Sequence, residues 1–329
     1  MDPLTQGLLG AALPLAVSNK RNLAVVGVLG VVSGMAPDLD VLIRSSTDPL
    51  LYLEYHRQFT HSLLFIPFGS FICALLLYPL FAKKRGLSFR QSWFYCALGY
   101  STHALLDACT SYGTQLLWPI SNTRYAWNTI SVIDPAFTLP ILILLLFSAL
   151  KRSPNYARIA FLWCLAYLSL GMIQRDRAEA AGWEIVKERQ HKAIQLKAKP
   201  SVWKLIYETE DNYYVDAVRV GRSIKIYPGE STPKLNIKEQ FPWLNPQSQQ
   251  AKDIERFRWF SNGFVATDPN NEMRIVDMRY SIVPNQINAL WGINLSPKAS
   301  ADAHVEYTAH RGSTAEDRQV FFNMLTDFE

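Results

Sequence analysis

Cysteine is scarce in this chain of 329 residues, and its last 154 residues contain no long apolar run. Cys73, Cys96, Cys109 and Cys164 all sit in apolar stretches and the polar half has none, which excludes a disulfide scaffold. A clustered basic surface is also missing from that half. From Asp176 onward twenty Lys/Arg face twenty-one Asp/Glu, a net of −1, so no nucleic-acid partner is expected. Disorder is excluded by 49% hydrophobic and 12% aromatic residues.

The first 175 residues are different: thirteen Lys/Arg against seven Asp/Glu, net +6, interrupted by apolar runs. Two domains are predicted, a membrane-embedded one over 1–175 and a soluble one over 176–329. Leu4–Val17 and Asn22–Ala36 are about fifteen residues each, short of the roughly 20 that cross a bilayer. They read as a short or partly re-entrant hairpin, or as a buried globular helix pair. The first is not a signal peptide, because Asp2 precedes it and Lys20 and Arg21 follow it. Gly7, Gly10, Ala11, Ala12, Gly27, Gly30 and Gly34 would let the two helices approach closely. Ser62–Phe81, Gln91–Cys109, Ala136–Leu150 and Ala157–Ile173 bring the expected set to about six membrane segments.

Lys and Arg concentrate in three short connections: Lys20 with Arg21, then Lys83, Lys84, Arg85 and Arg90, then Lys151, Arg152 and Arg158. With alternating segments all three fall on one side, which the positive-inside rule makes cytoplasmic. The loops 37–60 and 110–135 and the C-terminal half then face outward from a bacterial cytoplasmic (inner) membrane.

Polar residues that a membrane domain should not carry idly converge on that outer face. Asp38 and Asp40 follow the second segment, His56 and His61 open the third, and His103 and Asp107 lie toward the outer end of the fourth. His103 and Asp107, four apart, share a helix face. His56 reads as a loop ligand and His61 as a first-turn residue, with Thr60 as N-cap. Three His and three Asp suit one or two divalent ions, Zn²⁺ or Mn²⁺ foremost. Each residue also has a plainer reading: Asp38 as a helix stop, His56 as a surface residue, His61 as a polar helix start, and His103 with Asp107 as a hydrogen-bonded pair, since ionisable groups within a span are unfavourable unless paired. In the second outer loop Trp118 and Trp127 read as interface anchors and Asp134 as a helix cap. Arg57 and Arg124 are candidates to clamp an anionic substrate group, with snorkelling as the alternative.

The segments Met-Asp-Pro-Leu-Thr-Gln-Gly, Ala-Pro-Asp-Leu-Asp, His-Arg-Gln-Phe-Thr-His-Ser, Tyr-Ser-Thr-His-Ala-Leu-Leu-Asp and Tyr-Gly-Thr-Gln-Leu-Leu-Trp-Pro together resemble the YdjM-like family of inner-membrane, metal-dependent hydrolases. The resemblance covers residues 1–175. It implies a metal site at Asp38, Asp40, His56, His61, His103 and Asp107, and hydrolase activity. A fainter similarity joins His103 and Asp107 to the helical His-x-x-x-Asp pair of zinc-dependent phospholipase C and the P1-type nucleases, although that superfamily's full ligand set does not recur in order.

Beyond Arg175 a helix is expected to about His191, followed by short strands. Ser201–Glu208, Tyr213–Val220, Ser223–Tyr227, Trp259–Thr267, Met273–Ser281, Ala289–Asn294 and Ala303–Thr308 have strand character, and Glu316–Leu325 reads as a closing helix. A mainly antiparallel α+β domain results, suited to a lid or to a partner-binding module. His191, His304 and His310 read as ordinary histidines. The expected function is a membrane-bound metal-dependent hydrolase at the outer face, acting on a lipid or lipid-linked phosphoester. The rival is a non-catalytic scaffold or transporter with a structural metal.

Overall fold

The computed structural model describes residues 1–188, 193–199, 202–310 and 312–327, so His191 lies outside the described residues. The chain forms two compact units. Met1–Ile43 and Tyr55–Ile173 make the first, and Arg44–Glu54 with Gln174–Glu329 the second.

Helices build the first unit. Asp2 caps α1 (Pro3–Val17) by accepting from Thr5 N at 3.0 Å, with Pro3 in the first turn where no N–H is missed. Helix α2 (Leu23–Met35) runs into a 3₁₀ turn, Ala36–Leu42, begun by Pro37. The short α3 (Leu51–Tyr55), which clusters with the second unit up to Glu54, and 3₁₀ turns at Phe59–His61 and Leu63–Phe65 lead to α4 (Ile66–Leu77). Ser88 and Gln91 form a capping box on α5 (Phe89–Cys109), and Asp134 caps α6 (Pro135–Leu150) as expected. Helix α7 (Pro154–Glu188) continues from the first unit into the second.

Among the described residues three stretches are long and apolar enough to cross a membrane: Leu23–Leu42, Leu63–Arg85 and Pro154–Lys187. The expected count of about six is therefore not reached. Pro3–Val17 and Pro135–Leu150 are apolar but short. Helix α5 has the length, 21 residues, but Ser92, Ser101, Thr102, His103 and Asp107 dilute its apolar character. The second run gains its span from the 3₁₀ turn, which carries it to Leu42 and places Asp38 and Asp40 in its last part.

Small residues set how α1, α2 and α5 meet. A Cβ built on Gly10 would stand 2.6 Å from Gly30 O and 2.7 Å from Gly34 Cα, and one on Gly99 of α5 would stand 2.8 Å from Gly30 O. Backbone thus packs on backbone at one crossing, as the glycine pattern in the first two runs predicts.

The second unit is α+β and antiparallel. Its first sheet has the order β1 (Ala193–Lys199), β2 (Val202–Glu208), β3 (Asn212–Val220), β4 (Ile224–Tyr227), with β5 (Ser231–Pro233) also pairing β3. The second is a meander of β6 (Val265–Asp268), β7 (Asn271–Asp277), β8 (Trp291–Asn294) and β9 (Glu306–Ala309). Alternation in β2 and β3 supplies two apolar faces. Ala178, Ala181, Ile185 and Val186 of α7 cover Trp203, Leu205, Tyr207 and Val218, while Ile206, Tyr213 and Val215 meet Ala266, Met278 and Ile287. Helices α8 (Ile237–Gln240), α9 (Gln249–Phe260) and α10 (Ala315–Thr326) complete the unit. Trp259 and Phe260, expected in a strand, end α9: Ser248 caps this helix, and Ile254, Phe257 and Phe260 repeat at helical spacing on its buried face.

Candidate metal centre

The α-to-3₁₀ change at Ala36 is the local event that builds the site. Around a 3₁₀ axis, residues two apart point roughly 120° away from each other, so Asp38 and Asp40 serve different neighbours. The change also falls where the last carbonyls of α2 lack intrahelical donors. Gly34 O accepts from His103 Nδ1 at 2.6 Å. Because a carbonyl only accepts, His103 carries its proton on Nδ1 and presents Nε2 bare. His61 is oriented in the same sense. Its Nδ1 lies 3.2 Å from Asp40 Oδ2 and 3.0 Å from Thr60 Oγ1, whose own hydroxyl proton goes to Asp40 at 2.8 Å.

The two Nε2 atoms face each other: His61 Nε2 and His103 Nε2 are 2.9 Å apart. Asp38 Oδ1 lies 3.5 Å from the first and 3.3 Å from the second, and Asp107 Oδ2 lies 3.4 Å from His61 Nε2. One ligand atom from each of Asp38, His61, His103 and Asp107 falls within 4.8 Å of all the others, and Asp38, Asp40 and His56 form an adjoining group of three. This cluster could hold a metal ion. The donor set fits one: two imidazole nitrogens oriented by their Nδ1 partners and two carboxylates, with the buried Asp107 Oδ2 facing His61 Nε2 and Arg57 Nε. His61, His103 and Asp107 are fully buried, whereas the Asp38 side chain is 24% exposed and marks the open side.

Asp40 plays another part. His56 Nδ1 donates to its Oδ1 at 2.7 Å, and its Oδ2 accepts from Arg57 N and Thr60 Oγ1 and faces His61 Nδ1. Both oxygens are thus used in aligning two histidines. Burial opposes the charge on His61, but hydrogen bonds to Asp107, Asp38 and Asp40 outweigh it and raise its pKa to about 10. For His56 burial prevails over the Asp40 hydrogen bond and lowers the pKa.

Arg57 reaches the cluster: Nε lies 2.9 Å from Asp107 Oδ2, Nη1 donates to Thr110 Oγ1 at 3.1 Å, and the guanidinium stacks 4.8 Å from the Tyr112 ring centre. Its backbone φ of 65° is unusual for a residue with a Cβ, and is held by Arg57 N to Asp40 and by Gln115 N donating to Arg57 O at 3.0 Å. Arg124 instead donates to Gly113 O at 3.1 Å across the bridge between Thr114 and Tyr125. Thr60, expected as an N-cap, spends its hydroxyl on Asp40, and Ser62 does the capping of the next turn. Sequence spacing gave no hint of Gly34 O or of Gln6, whose Nε2 donates to Asp107 Oδ1 at 2.8 Å beside the Met1 amino group. The opening Met-Asp-Pro-Leu-Thr-Gln segment is therefore a brace for Asp107.

Among curated proteins, the uncharacterized protein YfhP of Bacillus subtilis is 23% identical over 295 residues, covering 85% of this chain and 87% of its own. Inner membrane protein YbcI of Escherichia coli is 29% identical over 130 residues, 37% of this chain and 73% of its own. No solved structure matches. Nothing among these comparisons bears out the fainter similarity to phospholipase C and the P1-type nucleases. The YdjM inner membrane protein family matches residues 1–178, the region that carries all six candidate ligands, and the chain belongs to that family.

Proposed function

We propose that this protein is a multi-pass, metal-dependent hydrolase of the bacterial cytoplasmic membrane, whose site opens at the extracytoplasmic face toward a lipid or lipid-linked phosphoester. One observation carries the reading: two histidine Nε2 atoms 2.9 Å apart, each with its Nδ1 proton spoken for, facing the oxygens of Asp38 and Asp107. Two such lone pairs repel unless a proton or a metal ion lies between them, and the two facing carboxylates favour either positive charge. Asp38, His61, His103 and Asp107 hold the ion, Zn²⁺ or Mn²⁺, with Asp40 and His56 completing or aligning the set.

When bound, a divalent ion supplies Lewis acidity and makes water a nucleophile near neutral pH. Arg57, fixed between Asp107 and Thr110, keeps a cation beside the cluster for an anionic substrate oxygen. Arg124 is the second candidate for that role. His56, its pKa lowered by burial, is neutral at pH 7, the form that binds a metal or accepts a proton at a ring nitrogen. A substrate anchored in the bilayer explains why the site is carried on membrane helices.

Sidedness rests on two further supports. The three basic connections fall on one side whether α5 and α6 both cross or neither does, because counting both or neither leaves the side of the following chain unchanged. The loop Arg44–Glu54 also shares a compact unit with the chain after Gln174, which supports placing both on the same side.

Purified protein in detergent is expected to hydrolyse a lipid phosphoester or an activated surrogate, to stop on chelation and to recover with Zn²⁺ or Mn²⁺. A folded, metal-loaded protein that turns over nothing across a broad panel of lipid and soluble esters and phosphoesters would leave a structural metal as the reading.

A further inference from the structure

Most of the chain between Asp40 and His56 clusters with the second unit: the loop Arg44–Glu54 belongs to it, and Arg256 of α9 is what grips it. Arg256 meets Asp48 in a two-pronged contact, Nη2 to Oδ2 at 2.8 Å and Nη1 to Oδ1 at 3.0 Å, and its Nε donates to Glu54 Oε1 at 2.5 Å. Nη1 also donates to Asp253 Oδ1 at 2.9 Å. Two carboxylates of the loop and one of the domain therefore share a single guanidinium.

Asp253 is fully buried and fixed in turn. Its Oδ2 accepts from Val305 N at 3.1 Å and His304 Nδ1 at 2.8 Å, and its Oδ1 accepts from Gln249 Nε2 at 3.0 Å. Arg256 is thus braced by the α9 helix and the segment before β9. The Tyr52 ring adds an edge contact to Tyr307, centroids 6.5 Å apart. An isolated exposed ion pair contributes little. A bidentate arginine inside a network of this kind holds geometry as well as charge.

This loop separates the candidate ligands along the chain: Asp38 and Asp40 precede it, and His56 and His61 follow it. Fixing its middle at Asp48 and its end at Glu54 limits the conformations through which the two ligand pairs can drift apart. We propose that Arg256 is a positioning residue for the metal centre, acting from the soluble domain through the loop Arg44–Glu54. The proposal rests on the metal-centre reading given above. It assigns the C-terminal half a part in the site without any of its side chains serving as a ligand. A site ordered beforehand binds its ion more tightly, because less ordering remains to be done on binding.

The test titrates the full-length protein in detergent with Co²⁺ alone and follows its visible d–d absorption, which reports both occupancy and ligand geometry. Arg256→Ala and Asp48→Asn are each expected to weaken Co²⁺ binding about tenfold, the low end for outer partners of metal ligands, and to alter the band shape. The double variant should lose no more than Arg256→Ala alone, since that change already removes the contact to Asp48. Arg256→Lys should restore part of the affinity. Lys225→Ala, which removes the Lys225–Asp327 pair elsewhere in the same domain, should bind as wild type. Asp48→Asn changes only the loop side, so it keeps the test informative if Arg256→Ala misfolds. Wild-type affinity and spectrum in the Arg256 and Asp48 variants overturn the positioning role alone. A wild-type protein that binds no Co²⁺, indistinguishable from His103→Ala, overturns the metal centre and the positioning role together.

Discussion

At the scale of single residues, a metal in the proposed site would compete with a proton for the same lone pairs. His61 is raised to about 10 against the opposing pull of burial, so near pH 7 the ring binds a proton in place of a metal. Metal uptake must displace it. The affinity for Zn²⁺ is accordingly expected to rise by about tenfold per pH unit through neutrality, each bound ion releasing about one proton, and to fall on acidification. A pH-indicator titration in weak buffer checks this, and proton-neutral uptake would show that His61 is not a ligand. Single changes of Asp38, His61, His103 or Asp107 to Ala should each lower bound metal, read by elemental analysis, while the membrane fraction still contains the protein. His310→Ala should leave the metal content near that of wild type, because His310 belongs neither to the candidate ligands nor to the loop clamp. Unchanged metal in all four ligand variants would remove the centre.

At the scale of elements, the crossing of α1, α2 and α5 sets where Gly34 O and His103 meet. A Cβ on Gly30 would lie 2.8 Å from Ala11 Cα, a backbone atom that cannot move aside, whereas a Cβ on Gly27 finds only Leu15 methyls at 3.8 and 3.9 Å. Gly30→Ala should therefore destabilise by about 1–3 kcal/mol and reduce bound metal. Gly27→Ala should do neither, and thermal unfolding in detergent compares the two. This crossing was legible in the sequence as a pattern of small residues, and so were the six candidate ligands, because ionisable side chains in apolar surroundings stand out. What aligns those side chains was not legible. Gly34 contributes a carbonyl, which every residue has, and Gln6 meets Asp107 from 101 positions away. Helix α9 was hidden differently: Trp259 and Phe260 have the bulk of strand residues, and only the three- and four-residue spacing of Ile254, Phe257 and Phe260 behind Ser248 reveals a helix end.

At the scale of the whole molecule, charge and chain path make one statement about orientation. Leu23–Leu42, Leu63–Arg85 and Pro154–Lys187 are the stretches able to cross, and the basic connections lie before the first, at the end of the second, and before and within the start of the third. In the proposed topology, three crossings would put those connections on a single side and Arg44–Glu54 and the chain after α7 on the other. The bidentate contact between Arg256 and Asp48 agrees with that assignment, since the two side chains can meet only if no bilayer separates them. A reporter active only outside the cytoplasm should therefore work when fused after Glu329 and fail when fused after Arg85. A reporter active only inside should give the opposite pair. Moving positive charge ought to test the cause as well as the outcome. Removing Lys83, Lys84, Arg85 and Arg90 together should weaken the bias and yield a mixed population, whereas removing four basic residues of the charge-balanced chain after Asp176 should leave it intact, because long domains translocate largely regardless of their charge. Activity of the outside reporter at Arg85 and silence at Glu329 would reverse the orientation and turn the metal centre toward the cytoplasm, where the substrate would have to be sought on the inner leaflet.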